Sequence, residues 1–170
     1  MNAQSEAEIA DAPVRISTTF EVERLTRSMM VLTLKYRLTI ANRSDRALRN
    51  LSICADLVSA RRHLPVEQQL AAGLIELPAN SSIERVGPHQ STTVSGELRL
   101  PLSEIEIFQQ GQVPLCVPLA RLRIECAGSE PHLRSFLVGL ESGAIDGKLH
   151  PLPLNGPPGG YEGAQARPLD

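Results

Sequence analysis

The chain has 170 residues, enough for one domain with its own core and too few for two comfortable ones. Only 3% of the residues are aromatic and none is tryptophan, so Leu, Val and Ile must supply the core, and stacking platforms for bases or sugars are scarce. A net charge of −2 provides no global field towards nucleic acid or acidic membranes, and no window approaches a bilayer-spanning length, so neither a nucleic-acid partner nor a membrane span is expected.

Residues 1–12 are polar, acidic and alanine-rich and read as a disordered N-terminal segment without the features of a secretion signal. The folded domain is expected over residues 13–142. Val14, Ile16, Thr18, Phe20 and Val22 alternate with polar neighbours, giving a first strand that breaks near Thr26-Arg27-Ser28. From Val31 to Asn42 the alternation is strict: Leu32, Leu34, Tyr36, Leu38 and Ile40 point one way, and Thr33, Lys35, Arg37 and Thr39 the other. Asn42-Arg43-Ser44-Asp45 reverses the chain into a third strand through Leu51, Ile53, Ala55 and Leu57.

After Ala60 the pattern changes, and Pro65 to Gly73 reads as a short helical excursion with proline near its start and glycine past its end. A short strand around Ile83 to Val86 leads into the turn Gly87-Pro88-His89-Gln90-Ser91, and a fifth strand follows through Val94, Gly96, Leu98 and Leu100. Ser103-Glu104-Ile105-Glu106 fits a capping box, which predicts a helix of about eight residues ending at Gly111. Val113 to Cys126 reads as one extended segment whose first half, interrupted by Pro114 and Pro118, belongs at an edge or bulge. Leu133 to Leu140 makes the last strand, and residues 143–170, rich in Pro and Gly, read as an extended, largely disordered tail.

Seven strands joined by close-spaced turns and two short helical links predict an all-β fold, a seven-stranded antiparallel sandwich of immunoglobulin or fibronectin-III-like kind. The stretch Tyr36 to Asp45 followed by Leu48, and Gly87 to Ser91 before a strand, resemble paired features of fibronectin-type-III-like and cell-adhesion-related bacterial sandwiches. The segments Phe136 to Glu141, Val113 to Leu119 and Lys148 to Leu154 resemble those of an uncharacterised alphaproteobacterial family of such domains, a likeness covering most of residues 14–154. The resemblance implies a sandwich and no catalytic residues.

Chemistry-bearing residues are few and scattered. Cys54, Cys116 and Cys126 are odd in number and lack metal-type spacing, and Cys116 and Cys126 lie too far apart along one extended segment to be bridged. At most one disulfide, from Cys54, is allowed, and reduced thiols in a cytoplasmic protein are the simplest expectation. Cys54, on the polar phase of its strand near Arg49 and Asp56, is the one thiol worth testing for reactivity. The histidines His63, His89, His132 and His150 fall in loops without a close pair, so no metal and no cofactor is expected. Glu104 and Glu106 serve as helix N-terminal charges.

Two surface features remain. All the basic residues except Lys35 and Lys148 are arginine, and Arg37, Arg43, Arg46 and Arg49 crowd one hairpin, a candidate anion-binding strip that a solvated face balanced by Asp45 and Asp56 would equally explain. Leu115, Val117 and Leu119 lie opposite the core-facing phase of their strand. They form a candidate interaction surface, for a protein partner or a second copy, unless the 103–110 helix or the C-terminal segment covers them. The expectation is therefore a non-enzymatic protein-interaction or scaffolding module, with polyanion binding by the arginine hairpin as the alternative.

Overall fold

The structure, a computed structural model, describes residues 13–72, 76–143 and 148–169. The expected N-terminal segment 1–12 lies outside them. Alternation becomes architecture most directly in β1 (Ile16–Arg27), β2 (Val31–Asn42) and β3 (Leu48–Ser59), each twelve residues long. In β2 the side chains of Leu32, Leu34, Tyr36, Leu38 and Ile40 are all buried while Lys35 and Arg37 stay exposed. The order continues with a one-turn helix α1 (Val66–Gln69), β4 (Ala79–Val86), β5 (Ser91–Pro101) and a 3-10 turn (Leu102–Glu104). Then come β6 (Phe108–Gln110), β7 (Val113–Cys116), β8 (Pro118–Glu125) and β9 (His132–Glu141). Four short strands close the chain: β10 (Leu149–His150), β11 (Leu152–Pro153), β12 (Gly159–Gly160) and β13 (Ala164–Pro168).

The first sheet runs β12-β1-β2-β5 and the second β10-β9-β8-β3-β4, with β13 also on β9; a third, small sheet runs β11-β7-β6. Every pairing is antiparallel. The two large sheets face each other across an aliphatic core centred on Leu34, Leu38, Ile53, Leu122 and Ile124. Phe20 of the first sheet stacks on Tyr36 beside it and on Phe136 of the second, at ring-centroid distances of 5.1 and 4.7 Å, so three aromatic rings join the layers. Gly96 sits in register with Tyr36, and a Cβ there would fall 2.6 Å from the phenol oxygen; glycine leaves the space that the ring occupies.

The all-β, antiparallel sandwich expectation agrees with this architecture. The count of seven strands does not: the described residues form thirteen strands in three sheets. The predicted helix over 103–110 is replaced by the 3-10 turn and β6, because its capping groups have partners elsewhere. The Glu106 N–H donates to Ser59 Oγ at 2.9 Å, and the Glu106 carboxylate accepts the Arg62 N–H at 2.7 Å. The excursion over 65–73 keeps a single helical turn. Gln69 is pinned by its carboxamide, which accepts from the Arg61 N–H at 2.6 Å and donates to the Arg61 and Leu64 carbonyls. Beyond it the chain is extended at Leu70.

The largest correction concerns the expected C-terminal tail. Residues 149–168 are woven into all three sheets. Leu137 faces Leu119 of β8 on one side and Arg167 of β13 on the other, while Leu140 faces His150 of β10 and Ala164 of β13. β10 thus continues the line of β8 where the chain before Pro118 swings away, and the segment Val113 to Cys126 splits into β7 and β8. Cys116 of β7 then pairs with Leu152 of β11. Arg27 donates to the Leu154 carbonyl at 3.2 Å and to that of Gly156, the Tyr161 N–H donates to Leu25 O at 2.9 Å, and its hydroxyl to Pro153 O at 2.8 Å. Proline and glycine in this segment fix the bends between two-residue strands rather than preventing order.

Candidate functional site

Three turns meet at one end of the sandwich: residues 43–47 between β2 and β3, 87–90 between β4 and β5, and 126–131 between β8 and β9. Asn42, fully buried, ties the first two together. Its amide nitrogen donates to the carbonyls of Arg46, Val86 and Gly87 at 2.8 to 3.1 Å, and its oxygen accepts the Ser44 N–H at 2.9 Å. The third turn is fastened by the Ala127 N–H on Arg49 O and by the Arg46 guanidinium on Gly128 O, the latter at 3.2 Å.

Between these turns lies a hollow of about 350 Å³ lined by Val14, Asp45, Arg46, Ala47, Leu48, Arg49, Arg85, Pro88 and Ala127. Leu48 and Leu51 are both buried although three residues apart. Asn50 between them adopts φ 52°, which breaks the alternation of β3 and leaves Arg49 exposed on the hollow's side. Arg49 stands directly opposite Arg85 of β4, two like charges in cross-strand register. Among the described residues neither guanidinium has an ion-pair or hydrogen-bond partner. Two other cross-strand arginines meet a carboxylate: Arg121 faces Asp56 and makes a bidentate bond to it, 2.8 Å at Nε, and Arg37 faces Glu21 at 2.6 Å. The one acidic residue of the hollow, Asp45, meets His89 Nε2 at 2.8 Å.

Of the four candidate arginines, the structure brings Arg46 and Arg49 together. Arg37 belongs to the other sheet, where Glu21 occupies it, and the exposed Arg43 does not line the hollow. Arg85 was missed because the long excursion after β3 hides the register of β4 from a reading of the sequence; strand pairing alone reveals it.

The candidate apolar surface of Leu115, Val117 and Leu119 is not one open strip. Leu119 is buried, while Leu115 and Val117 are half-buried. Pro153 of β11 stands beside Leu115, and Val117 closes a small hollow with Leu137, Leu149 and Pro151. The three cysteines are all free and buried. Cys54, expected on the polar phase of its strand, is buried in β3 beside Ser52 Oγ, and the excursion's residues 71 and 72 are held by the Ala71 N–H on Ser135 Oγ and by the Arg123 guanidinium on Ala72 O. Cys116 is enclosed by the third sheet, and burial pushes its thiol up to about 11, with nearby Arg27 pulling the other way. Among the described residues no three His, Cys, Asp or Glu side chains gather into a metal-binding group, and no helix is long and apolar enough to cross a membrane.

Comparison of the chain with family models, curated proteins and solved structures finds no match.

Proposed function

We propose that this chain is a non-enzymatic interaction module: a fibronectin-III-like sandwich that engages a protein partner through its turn end. The seven long strands, ordered β1-β2-β5 in one layer and β4-β3-β8-β9 in the other, are the core of that reading, and the third sheet and the terminal strands are additions to it. The observation that carries it is the pair Arg49 and Arg85, held in register over a hollow with no ion-pair partner among the described residues. Rigid layers presenting a cluster of turns are a common arrangement for recognition. The character of the hollow, fixed cations with aliphatic walls, suits binding rather than bond-making, and the buried thiols lie elsewhere.

A polyanion is the weaker alternative, since Arg37 sits on the other layer and Asp45 interrupts the basic run. Reduced thiols favour a cytoplasmic setting in this reading. The test is selection from an unbiased displayed-peptide library, followed by amide chemical-shift mapping with the selected peptides. Shifts gathered at residues 45–49, 85–90 and 127–128 are expected; shifts confined to other surfaces, or no selected binder, would refute the proposal.

A further inference from the structure

We infer that the hollow at the turn end takes a carboxylate presented beside an apolar side chain, that is, an acidic and partly hydrophobic segment of a partner protein. This rests on the interaction reading above and adds the chemistry of what is bound.

The contrast among the arginines carries the inference. Where β3 meets β8, Arg121 faces Asp56, and where β1 meets β2, Arg37 faces Glu21; the one like-charged pair there, Arg24 and Lys35, has Glu97 of β5 opposite the lysine on its other side. Where β3 meets β4 the corresponding place is held by a second arginine. Directly opposed residues on antiparallel strands have Cα atoms about 4.5 to 5.5 Å apart, so the two side chains start from one spot and repel unless something negative lies between them. A carboxylate oxygen pair accepts from two guanidinium forks at once, and charge-assisted bonds of this kind are the strong class. Arg46, tethered to the Gly128 carbonyl, adds a third positive charge on the same wall.

The remaining lining explains why the ligand is not a bare ion or a charged polymer. Val14, Pro88 and Ala127 are apolar, at least partly exposed and line the same hollow as the arginines, so they reward an aliphatic group next to the anion. Asp45 stands in the same wall beside His89 and repels a ligand that carries negative charge along its whole length. A volume of about 350 Å³ is at the small end for ligand sites and suits one or two side chains of a peptide.

The test uses the full chain and four probes: a labelled peptide of alternating aspartate and leucine, its asparagine analogue, inorganic phosphate, and a single-stranded oligothymidylate. The acidic peptide is expected to bind, and to bind more weakly as salt rises from about 0.05 to about 0.3 M. Its affinity should fall about tenfold or more in the asparagine analogue and in each of Arg49→Gln and Arg85→Gln, with Arg99→Gln as an unchanged control. Thermal unfolding of the variants verifies that they remain folded. The inference is overturned if the analogue binds as well as the acidic peptide, if both glutamine variants bind like the parent, if the acidic peptide fails to bind, or if phosphate or the oligonucleotide binds at least as tightly. Should library-selected peptides still map to the turn end in any of those cases, the interaction reading stands and only the ligand chemistry falls. Mapping to another surface would remove both.

Discussion

Arg85 stands opposite a like charge in its sheet, an arrangement that costs stability in strand pairs. Because it opposes Arg49 across β3 and β4, Arg85→Gln is expected to stabilise the free protein by a few tenths of a kcal/mol while weakening peptide affinity about tenfold or more, as measured by urea denaturation with and without ligand. A purely structural arginine would give the opposite sign. A second residue-scale expectation concerns Cys116. The unfolded chain releases its thiol proton near the ordinary value of 9.0, whereas the folded chain holds it to about 11. Between those values the folded state binds more protons, so stability is intact below pH 9 and is lost as pH rises through the window, by about 2 to 3 kcal/mol at its upper end. Burial raises Tyr36 and Tyr161 in the same direction. Urea unfolding from about pH 8 to about pH 10.5 should fall less steeply in Cys116→Ala than in the parent, from a lower starting stability.

Among the elements, the short C-terminal strands have the most exacting fit. A Cβ on Gly139 would lie 2.7 Å from the His150 carbonyl oxygen and 2.9 Å from Leu149 Cβ, and the first of these is backbone that cannot swing aside. Gly139→Ala is therefore expected to displace β10 at a cost of about 1 to 3 kcal/mol, visible as faster amide exchange at Leu149 and Leu152 with little change in β2. These elements also mark where the sequence stopped being readable. β2 could be delimited to the residue because twelve positions repeat one pattern, and β1, β3, β5 and β9 nearly so. Strands of two residues carry no period at all, and β10 to β12 are recognisable only by what they pair with. The lost helix at 103–110 has the same origin: a capping box is a local signal, and Ser59 and Arg62, far away in sequence, claimed both halves of Glu106. At the candidate site, Arg46 and Arg49 were legible as turn arginines, whereas Arg85 required a register that no local pattern encodes.

At the scale of the whole molecule the sandwich has two unlike ends. The hollow with Arg49 and Arg85 lies at the start of β5, while Met29 and Met30, each 77% exposed, lie at its other end, where the Met30 carbonyl accepts the Leu102 N–H. Mild peroxide is expected to convert both of these methionines to sulfoxides, read by mass spectrometry, without altering peptide affinity at the turn end. Loss of affinity on oxidation would mean that the ends are not independent. The stacked rings of Phe20, Tyr36 and Phe136 lie between them and, among the described residues, join the two layers within a largely aliphatic core.

The weaving of residues 149–168 through all three sheets has a consequence for biosynthesis. These residues are the last of the described strands to be made, so a chain still lacking them has every long strand yet not the partner that covers Leu115 and Val117. In such a chain β7 offers a bare margin to its neighbours. A variant that stops at residue 148 should therefore give a lower soluble yield than the chain that includes β10 to β13, whereas removing only the residues after 168 should leave it unchanged.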